Sequence, residues 1–194
     1  MGAQGGVRGT IKAMELRTER LVLREFSLTD QDAAHRYGSD AQVTRYMTWG
    51  PNSLSDTANY LMDVVRRANT KPRTSFILAV VNLDGDLIGA AGLKLTDGER
   101  RHGELGYVLA KDSWGFGYAT EVARCLIAFG FSELGLDRIT ATCHPENLAS
   151  ARVLEKAGLR FEGTLRDHLQ VQGAWRDSQL YILAAGGDDV DEAI

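Results

Sequence analysis

Cysteine and long apolar runs are both scarce in this chain of 194 residues. The two cysteines are Cys125, on a predicted helix, and Cys143, on a predicted core strand, so we expect two buried thiols and no disulfide. A catalytic role for one of them is the alternative. No apolar run reaches the ~20 residues that a membrane helix requires, and no signal peptide precedes the first predicted strand. The sequence therefore predicts a cytoplasmic protein without a membrane partner.

Positive charge is not in excess either. The formal net charge is -4, and four acidic residues stand near the end of the chain, which leaves the rest nearly neutral. The sequence has no basic stripe of the kind that neutralises nucleic-acid phosphates, so we expect no nucleic-acid partner. No group of Cys and His residues has the spacing of metal ligands, so we expect no metal.

What the chain does contain is a composition typical of a soluble globular domain, with 44% hydrophobic and 25% charged residues. A chain of this length can bury one sizeable core. The first residues are rich in glycine without periodicity, and the last are acidic. We therefore predict a flexible leader over residues 1–15, one domain over residues 16–186 and a mobile acidic tail over residues 187–194.

Strand and helix signals alternate along this domain. Thr29 and Asp32 are spaced like a capping box at the start of a first helix, and Ser53 or Ser55 caps a second helix. Gly106, inside a predicted strand, suggests a bulge or a close backbone approach. The predicted strands include residues 20–26, 76–82, 87–95, 104–109 and 137–143, and the predicted helices include residues 29–37, 53–67 and 118–131.

The stretch from 103 to 131 organises the chain. A strand rich in β-formers leads through a glycine turn, with Gly115 and Gly117, into an amphipathic helix. A helix that begins at such a turn presents unpaired N–H groups and a positive dipole end, which favour a phosphate-sized anion. The chain has Thr120 where a dinucleotide fingerprint needs glycine, and it lacks a Walker Lys-Ser/Thr. A tight turn without a ligand is the alternative.

Residues 137–163 continue with a β-branched strand, a proline stop, a helix, a glycine cap and another strand. Together with residues 103–107, 114–121 and 173–183, this order resembles the GNAT superfamily, and within it the RimJ/RimL-like branch that acetylates ribosomal-protein N-termini. The resemblance covers about residues 16–184. It implies an α+β, three-layer fold in which about four helices flank a mixed, mostly antiparallel sheet of about seven strands. Asp112 departs from the family loop, which usually carries Gln or Arg there.

The resemblance also implies acetyl-coenzyme A (acetyl-CoA) as co-substrate and no metal. Val108 and Leu109 would then offer main-chain contacts to the pantetheine arm, because the central strand of GNAT folds splays from its neighbour. Asn147 would bond the pantetheine amide, and Ser150 would lie near the sulfur. Gly115 and Gly117 would hold the pyrophosphate through their backbone N–H groups. The cofactor-binding residues of this turn and of the helix after it would be Trp114, Gly115, Phe116, Gly117, Tyr118, Ala119 and Thr120.

Amide formation needs a neutral amine and a stabilised leaving thiolate. By resemblance, Glu104 takes up the proton of the amine, and Ser150 is a proton donor or an orienter. The alternatives are a solvated or salt-bridged glutamate and, for Ser150 and Asn147, helix capping. Tyr46 and Trp49 are candidate walls of the acceptor pocket, with core packing as the alternative. We interpret His144 as structural.

The resulting prediction is acetyl transfer from acetyl-CoA to a primary amine. An α-amine, with a reference pKa near ~8, is an easier acceptor than a lysine amine near ~10.4, so we expect a protein N-terminus or a small amino compound. A non-catalytic acyl-CoA-binding sensor is the alternative function. A homodimer is left open.

Overall fold

The computed structural model describes residues 14–97 and 101–186. The predicted tail lies outside these residues, and so does the predicted leader except for Met14 and Glu15. Glu15 begins the first strand.

Within the described ranges, eight strands form a single sheet in the order β1-β2-β3-β4-β5-β6-β8-β7. All neighbours are antiparallel except β5 and β6, which run parallel. The sheet is therefore mixed and mostly antiparallel, as predicted. The strands are β1 (Glu15–Arg17), β2 (Leu21–Glu25), β3 (Ser75–Asn82), β4 (Leu87–Asp97), β5 (His102–Leu109), β6 (Arg138–Cys143), β7 (Arg160–Val171) and β8 (Ala174–Ala184).

The described residues form five α-helices. Of the two serines predicted to cap α3, Ser53 is the N-cap, and it forms a capping box with Asp56. The capping box predicted at Thr29 and Asp32 is wrong, because the structure forms it at Ser27 and Asp30, ahead of a short 3-10 turn. None of the helices in the described ranges is long and apolar enough to cross a membrane. The helices are α1 (Gln31–Gly38), α2 (Ala41–Thr44), α3 (Leu54–Ala68), α4 (Tyr118–Ser132) and α5 (Leu148–Lys156).

The two faces of the sheet have separate hydrophobic cores. On one face, β-strand side chains such as Leu105 and Leu109 pack with α4 and α5. On the other face, Val108 and Ala110 belong to the core that includes α1 and α3. Because successive strand residues point to opposite faces, each side chain of β5 can be assigned to one of these two layers. The three-layer α+β architecture expected from the sequence is thus confirmed, with counts slightly above the predicted ones.

Gly106 is neither a bulge nor a close backbone contact. The register between β4 and β5 runs through it without a shift, and a Cβ built there would meet no atom within 4 Å. The register shift on this strand pair lies instead between Leu95 and Asp97. Gly106 is exposed, so it leaves open space beside the central strand.

Candidate active site

The parallel strands β5 and β6 separate soon after they meet. They pair at only three positions, His102 with Arg138, Gly103 with Ile139, and Glu104 with Thr140. Yet β5 continues to Leu109 and β6 to Cys143. Backbone groups beyond Glu104 therefore face a wedge-shaped gap between the strands, which we call the β5–β6 gap. Unpaired strand edges of this kind can bind an extended, amide-containing ligand.

Alternation of backbone hydrogen bonds tells which residues face the β5–β6 gap. The Ala110 N–H donates to the Ile88 carbonyl at 2.7 Å, so Ala110 and, two residues earlier, Val108 bond toward β4. The groups of Leu105, Tyr107 and Leu109 then face the gap. The Leu109 carbonyl is already bonded by the Trp114 indole N–H at 2.9 Å. The geometry thus disfavours Val108 as a main-chain contact, whereas the N–H of Leu109 faces the gap and its carbonyl already accepts one bond from Trp114.

The glycine turn before α4 has the conformation that an anion site needs. Gly115 and Gly117 have φ angles of 83° and 81°, which L side chains rarely adopt. Gly117 is the N-cap of α4 and supplies no side-chain cap, and the first intrahelical bond comes from the Glu121 N–H. Within the described ranges, the N–H groups of residues 118–120 have no protein acceptor. They point out of the helix start together with its positive dipole end.

A brace from the β1–β2 turn holds this loop in place. The Arg20 guanidinium donates to the Glu121 carboxylate at 2.8 Å and to the Phe116 carbonyl at 3.0 Å, and it lies 4.8 Å over the Tyr118 ring. Thr18 donates to the same carboxylate at 2.6 Å. Burial would raise the pKa of Glu121, but the hydrogen bonds from Thr18 and Arg20 outweigh it and hold the pKa below its usual value.

Glu104 lies at the closed end of the β5–β6 gap. By alternation its side chain shares the face of Val108, the face covered by α1 and α3. Its cross-strand partner on β4 is Lys94, but among the described residues no ion pair or hydrogen bond engages the Glu104 carboxylate. Glu104 is half-buried. A partly desolvated carboxylate without a partner can accept a proton from a bound amine.

The start of α5 lies on the other face of the sheet from the Glu104 side chain. The Asn147 side chain accepts the Ser150 N–H at 3.1 Å, so the capping alternative for Asn147 is seen in the structure. Its amide NH₂ makes no hydrogen bond within the described part of the chain. The Ser150 hydroxyl lies 3.0 Å from the Tyr107 hydroxyl, which also approaches the Ser150 carbonyl at 3.2 Å. Ser150 is thus part of a hydroxyl pair that the sequence did not indicate.

The Tyr46 ring contacts His144, and Trp49 lies at the surface. The Tyr46 ring stacks on His144, with centroids 5.0 Å apart, just beyond the end of β6. Arg176 of β8 donates to the carbonyls of Tyr46 and Met47, at 3.1 and 3.4 Å, and so fixes the turn between α2 and α3. Trp49 is 36% exposed, belongs to neither core, and makes no ring contact or hydrogen bond among the described residues.

His144 is held as a neutral hydrogen-bond donor. Its Nδ1 accepts the Glu146 N–H at 3.1 Å, so the neutral ring carries its proton on Nε2. Burial lowers the pKa of His144, and the cations Arg176 and Arg45 lower it further. A ring whose one free lone pair is already engaged cannot serve as a general base, which agrees with the structural interpretation of this residue.

Asp112 lines a surface hollow of about 410 Å³ together with Arg36, Asp40, Ala110 and Lys111, on the side of α1. The hollow thus contains two cationic side chains and one further carboxylate beside that of Asp112. No group of three or more His, Cys, Asp or Glu side chains within the described ranges could hold a metal.

Four residues of this region were not among the sequence candidates: Arg20, Tyr107, Arg176 and, as a neighbour of the acceptor turn, His144. The position of Tyr107 could have been predicted, because the alternation of side chains along β5 places it on the same face of the sheet as Leu105, the face covered by α5. The contacts of Arg20 and Arg176 span about a hundred residues of sequence or more and left no local pattern.

Comparisons with known proteins agree with this geometry. A family model described as an acetyltransferase (GNAT) domain matches residues 20–160. The N-acetyltransferase p20 of Bacillus licheniformis is 33% identical over 168 residues, which cover 87% of this chain and 94% of that protein.

Solved structures give the same result. A GNAT-family acetyltransferase from Bacillus anthracis is similar with a TM-score of 0.78 and 32% identity, over 88% of this chain and 98% of that one. RimJ of Mycobacterium smegmatis, in complex with CoA-disulfide, is similar with a TM-score of 0.76 and 25% identity, over 93% of this chain and 90% of that one.

Proposed function

Since this chain belongs to the GNAT acetyltransferase family and is an acetyl-CoA-dependent N-acetyltransferase, we propose that its acceptor is an α-amino group and that it acts as a RimJ/RimL-like enzyme. The acceptor would be a protein N-terminus or a small amino compound. The observation that carries this proposal is the carboxylate of Glu104, which has no partner among the described residues and lies at the closed end of the β5–β6 gap, with cations at the acceptor side.

The residues present fit acetyl-CoA, which supplies the acetyl group as a thioester. The bare N–H groups at the start of α4 suit its phosphates, because Gly115 and Gly117 put no side chain in front of them. The gap-facing groups of β5 suit the amides of the pantetheine arm. The side-chain amide of Asn147, which is free to donate, is placed to add a further bond.

The reacting end then lies where the gap closes. The amine nitrogen forms a bond to the acetyl carbon, the carbon–sulfur bond breaks, and the sulfur leaves with the electron pair as a thiolate. Glu104 takes the proton that the amine loses, directly or through water, since its carboxylate has no competing partner among the described residues. Tyr46, held by Arg176 and His144, packs against the apolar part of the acceptor.

Two physical arguments support an α-amine. One carboxylate base suits an amine with a pKa near ~8 better than one near ~10.4. In addition, Arg45 lies 5.0 Å over the Tyr46 ring and Arg176 bonds the same turn, so a polyamine would bring its charges toward like charges. The similarity to RimJ, at 25% identity, points the same way.

A competitive panel tests this proposal. It contains an Ala- or Ser-initiated peptide, a small amino acid derivative, spermidine and a lysine peptide with a blocked N-terminus, and thiol release gives kcat/KM for each. We expect one of the first two acceptors to have the highest kcat/KM. A higher value for spermidine or for the blocked lysine peptide would refute the α-amine assignment.

A further inference from the structure

We propose that the acceptor carries a carboxylate two or three residues from its amine, and that Arg45 and Arg176 select for this group. This selectivity rests on the proposed function, since the amine is placed at Glu104. It narrows the α-amines proposed above to one class, which consists of short acidic peptides and acidic protein N-termini.

Hydrogen-bond donors and positive charges gather around the Tyr46 ring. The guanidinium of Arg45 lies 5.0 Å from the centroid of this ring, and the His144 ring stacks on it. Arg176 donates to the carbonyls of Tyr46 and Met47 at 3.1 and 3.4 Å. Burial lowers the pKa of His144, and Arg176 and Arg45 lower it further, so both guanidinium groups act on this ring. We call Arg45, Arg176 and His144 the donor cluster.

The two arginines of the donor cluster have no carboxylate partner among the described residues. Within those ranges Arg176 bonds only neutral carbonyls, and its Nε is buried without a hydrogen-bond partner. Arg45 is exposed and forms no hydrogen bond or ion pair in the same part of the chain. Glu146, an exposed acid, opposes the two cations by raising the pKa of His144. Two cations against one acid leave a positive surface that suits a carboxylate.

The donor cluster lies on the same face of the sheet as Glu104. His144, the first residue after β6, lies four residues beyond the β6 partner of Glu104, so alternation puts both side chains on one face. On β8, Gln179 is opposite Cys143, which belongs to the core on the α5 side, so Arg176, three residues away, points to the other face. The turn that Arg176 bonds leads into α3, which packs on that other face.

The spacing along β6 sets the distance between the amine and the carboxylate. Four residues at ~3.3 Å each put His144 about 13 Å beyond the level of Glu104. Hydrogen bonds of about 3 Å at the two ends shorten this interval to about 7–10 Å. An extended peptide advances ~3.4 Å per residue, so a carboxylate on the second or third residue spans it.

Pairs of acceptors that differ only in this charge test the proposal. Ala-Glu-Ala-amide is compared with Ala-Gln-Ala-amide, Ala-Ala-Glu-amide with Ala-Ala-Gln-amide, and Ala-Ala with Ala-Ala-amide, and thiol release gives kcat/KM for each. We expect the acidic member to have a kcat/KM about tenfold higher, as for one charge-assisted contact at a partly exposed site. The tripeptide pairs report an acidic side chain, and the dipeptide pair reports a terminal carboxylate.

Two further properties separate recognition of the carboxylate from reactivity of the amine. The ratio within a pair should shrink as NaCl rises from ~0.05 to ~0.5 M, because salt screens the contact. A nearby carboxylate raises the pKa of the amine and so lowers the fraction of neutral amine. Intrinsic reactivity therefore works against the acidic member and cannot produce the expected preference.

Variants then assign the preference. Arg45→Gln and Arg176→Gln should each reduce the ratio to about threefold or less, whereas Arg176→Lys keeps the charge and should raise KM for both members of a pair without losing the ratio. Arg66→Gln is the matched control, because this exposed arginine lies near the far end of α3 and should leave the ratio intact. If Arg176→Gln does not fold, Arg45→Gln, at an exposed site, decides.

Equal kcat/KM values within the pairs, or a full tenfold ratio in either glutamine variant, would overturn the proposal. A second measurement avoids turnover: the acetylated tripeptides, titrated by calorimetry into the protein with CoA, should show the same acidic preference in Kd, and equal Kd values would also overturn it. A lysine peptide that wins the acceptor panel refutes the α-amine, whereas equal values within the pairs refute only the carboxylate. The two failures are therefore separate results.

Discussion

Replacement of Gly117 by valine tests whether the start of α4 binds the phosphates of CoA. The residue has a φ angle of 81°, and a Cβ built there would meet only Arg20 Nη2, at 3.6 Å. The added Cβ would therefore clash with no protein backbone. It would occupy the open space in front of the N–H groups of residues 118–120, where a phosphate must approach closely.

The cost to the fold and the cost to binding can be separated in magnitude. An L side chain in the left-handed region costs about 2 kcal/mol, which for a domain of this size lowers Tm by about 4–8 °C. A hydrogen bond to a charged group contributes about 1.5–3 kcal/mol, so losing one or more phosphate bonds should weaken CoA binding by about tenfold to a hundredfold or more.

Gly173, in the turn between β7 and β8, provides the matched control. Its φ angle is 83° and a Cβ there would meet nothing within 4 Å, so Gly173→Val bears the same conformational cost away from α4. Scanning calorimetry should find similar losses in Tm for both variants, and titration calorimetry should find weaker CoA binding only for Gly117→Val. Unchanged affinity in a folded Gly117→Val protein, or equal weakening in both variants, would refute the phosphate site.

Three further predictions concern single contacts. Arg176→Lys keeps the charge but loses the fork that bonds the Tyr46 and Met47 carbonyls, so steady-state kinetics should show KM for the acceptor raised about 3- to 10-fold with CoA affinity unchanged. Because folding lowers the pKa of His144, its contribution to stability is complete above the unfolded pKa of ~6.5 and is lost as the pH falls through the folded value. Melting curves between pH ~5 and ~7.5 should therefore depend less on pH in His144→Asn. Ser53→Ala removes the cap of α3 and should lower Tm by about 2–4 °C, measured by calorimetry, without changing CoA affinity.

The parts of the fold that local patterns specify could be predicted from the sequence. The serine cap of α3, predicted at Ser53 or Ser55, the glycine turn before α4 and the β3–β4 hairpin all depend on residues close together in the chain. The first capping box was misplaced by two residues because both Ser27–Asp30 and Thr29–Asp32 have the required spacing. Only the 3-10 turn over Leu28–Asp30, which precedes α1, decides between them.

Elements that owe their existence to pairing partners were missed or shortened. β1 has three residues and depends on β2, and α2 has four residues. β7 extends to Val171, well beyond the predicted end near residue 163, because it pairs with β8 along most of its length despite two register shifts. The alternation of apolar and polar residues in β7 and β8 is too weak to predict the length of these strands from sequence.

The candidate site divides in the same way. Glu104 and Ser150 lie on opposite faces of the sheet. Their positions follow from the alternation of side chains along β5 and from the place where α5 begins. The Tyr107–Ser150 contact joins residues 43 apart, and the Arg176–Tyr46 contact joins residues 130 apart, so only the tertiary fold reveals them. The backbone groups of Val108 bond toward β4, so the groups that face the β5–β6 gap are those of its neighbours in β5. This direction could be derived only from the hydrogen bond of Ala110 to Ile88.

Glu104→Gln tests most directly whether the gap is the catalytic centre. The substitution keeps the shape of the side chain and removes its basicity. With the best α-amine acceptor, we predict that kcat at neutral pH falls by roughly 10² to 10⁴ while the Kd for CoA stays the same, and that the loss shrinks at higher pH, where the amine is already neutral. Glu162→Gln, an exposed site on β7, should change neither quantity. A loss of less than about threefold in Glu104→Gln at neutral pH would contradict the account, because the proton of the amine would then leave by another route.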